Sequence, residues 1–237
     1  MIVKTESGVA LILVLLVTSF VSAVGLGLAV VVFMDQLASG NLRGTVGMFY
    51  AADAGIELAA RDLASAADWS AALGGTERGS FTDGAPTGAR AIPAGGVVNL
   101  TAETNLLNCG KRSACTPAQM DANSRERPWG ANNPRWRLYD YGPFPDLVTG
   151  ARPVPCFLAV WVADDSREED NDPATDGERD EPGRGVLRVR AEAFGAMGGR
   201  RAIEAELARV CRQRDGKEAC LPGIRVQSWQ ELRQLIP

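Results

Sequence analysis

GVALILVLLVTSFVSAVGLGLAVVVFM, Gly8 to Met34, decides the architecture, because it holds neither a charge nor a proline. With Ser7 the uncharged run reaches 28 residues. The 26 residues from Val9 to Met34 would span about 39 Å as a helix at ~1.5 Å per residue, more than the ~30 Å hydrocarbon core of a bilayer. A secretory signal carries an apolar region of only ~7–15 residues, closed by a small-residue cleavage site. This run is longer and no A-x-A site closes it, so a membrane-spanning helix over 9–34 is the expectation.

Working outward, DQLASGNLRGTVGMFYAADAGIELAARDLASAADW follows Met34, rich in alanine and free of proline to Trp69. Phe49, Ala52, Ile56, Ala59, Leu63 and Ala67 recur at three and four residues, forming one apolar helical stripe. Asp53, Glu57, Arg61 and Asp62 fall off it, so residues 35–70 read as helix docked on one side. Gly40, Gly44 and Gly47 each cost roughly 1 kcal/mol against alanine in a helix interior. A soft or bent segment is expected there.

The composition excludes several function classes. At 237 residues, with 46% hydrophobic and 23% charged, the chain is ordinary globular material rather than disordered. Histidine is absent and Lys4, Lys111 and Lys217 are the only lysines. His-based triads, His-ligated metals and His general bases are therefore excluded. No basic cluster marks a nucleic-acid surface, and no phosphate-binding glycine loop has P-loop or Rossmann spacing. Nothing positions paired carboxylates for hydrolysis, and no enzyme is expected.

The leader MIVKTESG running straight into VALILVLLVTSF resembles a type IV prepilin amino terminus. GVALILVLL followed by MFYAADAGIELAARDL resembles the PilX-like minor pilins, and GVLRVRAEAFGAMGGRRAIEAELARV, 185–210, is similar to their terminal strand pair. The K-type minor pseudopilin of type II secretion is similar too. The resemblance implies cleavage by a prepilin peptidase between Gly8 and Val9. It also implies single-pass insertion in a bacterial inner membrane with a periplasmic head, and later display on a pilus serving adhesion or motility. Implied partners are other minor pilins and the major pilin through the helix, and a PilY-type tip adhesin. One position departs from the major pilins, where the fifth mature residue is a glutamate. Here it is Leu13. That suits a minor subunit that primes or caps assembly near the tip. A type II secretion pseudopilin, or an anchored extracytoplasmic binding protein that never polymerises, are the alternatives.

The expected fold is α+β, a long amino-terminal helix packed on an antiparallel β head over 71–237. AIPAGGVVNL reads as a strand and Arg135–Tyr139 as another. PCFLAVWVA, 155–163, is apolar throughout, a buried strand by length. Val186 to Phe194 alternates apolar and charged residues with the strand period. Gly195–Gly199 turns the chain, and Arg200–Cys211 reads as a strand despite helix-favouring residues. The tail SWQELRQLIP has Ser228 three residues before Glu231, the spacing of a capping box, and is expected to be a short helix.

Five cysteines favour an exported, oxidising location and structural disulfides. None has zinc-finger spacing. Local pairs Cys109–Cys115 and Cys211–Cys220 would leave Cys156 buried in its strand; the rival is Cys156–Cys211. Asp164 to Glu181 holds ten acidic and two basic residues, so it carries −8 while the rest of the chain sums to +4. This connection reads as a solvated loop or as a calcium site formed by Asp170, Asn171, Asp172 and Asp176. Trp129, Trp136, Tyr139, Tyr141 and Phe144 cluster between prolines, as a satellite core or as a carbohydrate or partner platform.

Overall fold

The computed structural model describes residues 7–66, 68–122, 134–148, 153–167, 172–177, 184–214 and 217–232, with the backbone alone for 7–8, 212–214 and 217–222. The chain divides into two compact units, Met1–Gly44 and Thr45–Pro237. Helix α1 is Ser7–Ser65, unbroken through Gly40, Gly44 and Gly47. The three glycines are accommodated within the helix because a backbone ladder without proline keeps its hydrogen bonds, at a cost of roughly 1 kcal/mol for each glycine.

In the first unit α1 is exposed at every residue from Val9 to Arg43. It is the one helix among the described residues long and apolar enough to cross a membrane, which is consistent with a membrane anchor. Thr18 returns its hydroxyl to the Val14 carbonyl at 2.9 Å, so a polar side chain sits in this run without an unspent donor.

In the second unit the remainder of α1 packs on a five-stranded antiparallel sheet, giving an α+β architecture. The other elements are α2 Ser70–Leu73, β1 Ala89–Ala91, β2 Val97–Asn99, α3 Leu100–Cys109, α4 Pro117–Ala122, β3 Arg137–Pro143, α5 Phe144–Leu147, β4 Phe157–Asp164, β5 Val186–Phe194, β6 Arg200–Arg214 and β7 Lys217–Leu232. Strands β3 to β7 pair in sequence order, and β1–β2 form a separate hairpin. AIPAGGVVNL is thus two short strands around a glycine turn rather than one.

All eight residues of β4 are buried, and alternate side chains enter two different cores. Leu158, Val160 and Val162 meet Ala52, Ile56, Ala59 and Leu63 of α1. Phe157, Ala159, Trp161 and Ala163 join Ile92, Leu100, Trp136, Leu138 and Tyr141 on the other face. A strand covered on both sides reads as a continuous apolar run for this reason. Burying each such Leu, Ile or Val contributes about 1.5–3 kcal/mol. Trp136, Tyr139, Tyr141 and Phe144 all lie in these cores, while Trp129 lies outside the described residues.

The outer edge of β3 is covered by residues 79–83, which run parallel to it: Gly79 N–H donates to Tyr139 O, and Tyr141 N–H to Phe81 O. The tail predicted as a helix is instead β strand, with Ser228 opposite Glu206 and Trp229 opposite Ala205. Trp229 donates its indole N–H to Asp53 of α1 at 3.1 Å and meets the Phe49 ring edge-on at 5.8 Å. Those long-range contacts outweigh the local capping-box pattern.

Candidate functional site: the amino-terminal helix, the acidic connection and the cross-sheet charges

The Gly8–Val9 junction lies in the first turns of α1. Leu13 is exposed on that helix and 57% accessible. A leucine there carries no desolvation cost in hydrocarbon, whereas a carboxylate would. From Met48 onward the same helix changes role, as Met48, Ala51, Ala52, Ile56, Ala59 and Leu63 become core. Gly47 and Gly55 allow the approach: a Cβ on Gly47 would stand 2.9 Å from Val154, and one on Gly55 3.0 Å from Leu158. Ala67 of the predicted stripe lies outside the described residues.

Of the acidic connection, Asp170 and Asn171 lie outside the described residues. Asp172 is exposed and its Oδ1 accepts from Ala174 N–H at 3.1 Å, a local turn. Asp176 is buried and otherwise engaged. Its Oδ1 accepts from Gly185 N–H at 2.8 Å, its Oδ2 lies 3.6 Å from Arg209 Nε, and its own N–H donates to Ser70 Oγ. Arg209 also stacks on Trp69 at 4.2 Å and donates to Ala66 O. Burial raises the Asp176 carboxyl to about 6, an effect offset in part by the Gly185 N–H and Arg209. Asp172 and Asp176 therefore do separate jobs, one shaping a turn and one tying the connection to the core. Among the described residues no group of three or more Cys, Asp or Glu is placed to hold a metal ion.

A row of opposite charges not recognised in the sequence runs over the face of β5 and β6 turned away from α1. Arg188 bonds Glu204, and Arg190 bonds Glu192 and lies 3.7 Å from Glu204. Arg200 bridges Glu192 and Glu103 of α3, and Arg112 takes the other oxygen of Glu103 at 2.7 Å. Burial pushes the Glu192 carboxyl up, but Arg190 and Arg200 outweigh it and hold the group below the ordinary carboxylate value. The signal was the polar half of the β5 alternation, because Arg190 stands directly opposite Glu204 once β5 and β6 pair. Every carboxylate in the row is paired with arginine, so it offers no free acid or base for chemistry. It fastens α3 to the sheet.

A second buried acid was also not recognised. Asp140 on β3 is fully buried, and its Oδ1 accepts from Phe81 N–H at 2.9 Å. Burial raises it to about 7 against that hydrogen bond, and Asp62 raises it further. Asp62 accepts from the preceding amide, Ser80 N–H, at 2.7 Å. Helix and strand thus grip consecutive amides of the segment that covers the β3 edge.

Cys109 and Cys115 form a disulfide with Cα atoms 6.0 Å apart. Cys156 is a buried free thiol, so the Cys156–Cys211 pairing is not made. Cys211 is disulfide-bonded and stands opposite Cys220 in the β6–β7 register.

No family model, no curated protein and no solved structure matches the chain.

Proposed function

We propose that the chain is a PilX-like minor pilin that primes or caps type IV pilus assembly near the filament tip. The observation that carries this reading is α1. It runs unbroken from the Gly8–Val9 junction, apolar and exposed through Met34, and its last twenty residues form part of the core of an antiparallel head. One helix thus supplies both an apolar surface for lipid or neighbouring helices and a structural member of the exported domain. In this reading a prepilin peptidase cuts after Gly8, the helix leaves the inner membrane into the filament, and the head is displayed at the surface. Other minor pilins and the major pilin pack on α1, and a PilY-type adhesin sits above.

Leu13 supports an apical place. A subunit without the acid has nothing to pair with the terminal amine of a subunit above it. The chain acts by assembly and not by catalysis.

Deleting the chain tests the proposal. Surface pili should fall in number, and the protein should be far less abundant than the major pilin in sheared filaments. Normal piliation with lost export of folded proteins would instead favour the type II secretion subunit. Loss of neither would leave the non-polymerising anchored binding protein.

A further inference from the structure

A cleft of about 370 Å³ opens between α2, α3 and β3, a size within the ~300–1,000 Å³ of small-molecule sites. Met120 and Leu138 are among its apolar lining residues, and Arg78 and Arg137 among its charged ones. No carboxylate lines it among the described residues. On a chain of net charge −4 that local sign is reversed.

Arg137 is held in place before any ligand arrives. Its Cδ would lie 3.5 Å from a Cβ on Gly75, a glycine at φ +75°, and its Nε donates to Leu73 O at 3.2 Å. The two terminal nitrogens are left as donors, in a fixed fork that suits a planar carboxylate.

The hydroxyls nearby are also set up to donate. Thr101 Oγ1 accepts from Gly88 N–H at 3.1 Å, and Thr104 Oγ1 accepts from Trp161 Nε1 at 2.8 Å. Each hydroxyl hydrogen remains to be given. Asn108, by contrast, spends both ends of its amide on the Trp136 main chain. The cleft therefore offers one anchored guanidinium, a second exposed arginine and two hydroxyl donors beside an apolar patch, with no competing acid among the described residues.

We infer that this cleft binds an acidic saccharide of the uronate class. The carboxylate meets Arg137 and Arg78, ring hydroxyls accept from the threonines, and the apolar ring face lies on Met120 and Leu138. An acidic peptide would also satisfy the arginines, and its carbonyls would accept from the threonines; what it lacks is a rigid ring face to lie on Met120 and Leu138. This site is independent of helix-mediated assembly and stands even if the pilin reading fails.

The test uses the full-length protein in detergent micelles, with digalacturonate and diglucuronate as probes. Neutral maltose and hexaglutamate are the controls. Calorimetric titration at fixed ionic strength should show saturable binding of at least one uronate. That binding should weaken roughly tenfold in Arg137→Met, the loss of one charge-assisted contact, while the head stays folded by circular dichroism. Maltose should bind at least about tenfold more weakly. Arg78→Met gives a second reading that does not disturb the Leu73 contact. Absence of saturable uronate binding at millimolar concentration, insensitivity to both variants, or equal binding of hexaglutamate would overturn the inference.

Discussion

Gly55 of α1 lies so close to Val160 of β4 that a Cβ on the glycine would stand 3.0 Å from the valine Cγ2. Leu158 and Ala191 crowd the same point at 3.0 and 3.1 Å. The helix can lie this near the sheet only because no side chain intervenes. Gly55→Ala sets a helix-propensity gain of about 1 kcal/mol against an overpacking cost of about 1–3 kcal/mol. Chemical denaturation should show a net loss of roughly 1 kcal/mol, and a larger loss for Gly55→Leu. Gly44→Ala, with nothing within 4 Å of the added Cβ, should leave the head as stable as before or more so.

Asp140 makes the head sensitive to rising pH. Its folded value of about 7 lies above the ordinary 3.8, so the neutral form is favoured in the folded state. The stability this gives is complete below pH ~4 and is lost as pH rises through about 7. At ~1.4 kcal/mol per pH unit the loss is on the order of 4 kcal/mol. Asp176, raised to about 6, contributes in the same direction, whereas Glu192 opposes it. The difference between wild type and Asp140→Asn isolates the one group. Urea denaturation from pH 4 to 8 should show the variant gaining on wild type up to about pH 7 and levelling off above it. A constant difference would refute the assignment.

Glu192 compensates two arginines at once. Glu192→Ala leaves Arg190 and Arg200 facing each other without their shared carboxylate, and should cost about 3 kcal/mol. The double variant Glu192→Leu, Arg200→Met should lose clearly less than the sum of the two single losses, because each single change leaves the other buried partner with one of its two opposite charges missing. A double-mutant cycle in denaturant measures that coupling.

The Cys109–Cys115 bridge closes a short loop at the end of α3, with a sequence separation of six. Replacing both cysteines by serine should lower stability by about 2 kcal/mol, the entropy of so small a loop. Reducing agent should reproduce the effect in wild type and have little in the variant beyond what Cys211 contributes.

The parts legible in the sequence are those where local pattern and tertiary environment agree. The β4 run betrayed burial on both faces, and the alternation in β5 marked one apolar and one charged face. The stripe at Ala52, Ile56, Ala59 and Leu63 marked the docked side of α1. Ser228–Glu231 misled because a capping box is a local signal, while Trp229 gains Phe49, Asp53 and pairing with β6. Helix α3 was missed since Asn99, which caps it by accepting from Ala102 N–H, closes a valine-rich strand that dominated the window. The charge row and the Asp140 grip join residues far apart in sequence, and no spacing rule reaches from Glu103 to Arg200 or from Phe81 to Asp140.

The account turns on the Gly8–Val9 junction as a processing site that frees α1 for assembly. Intact-mass spectrometry of the protein purified from cells with an active prepilin peptidase tests it most directly. The predicted result is a mature chain beginning at Val9, and a chain retaining Met1 to Gly8 when the peptidase is deleted. A protein that keeps the leader while the peptidase is active would contradict the account.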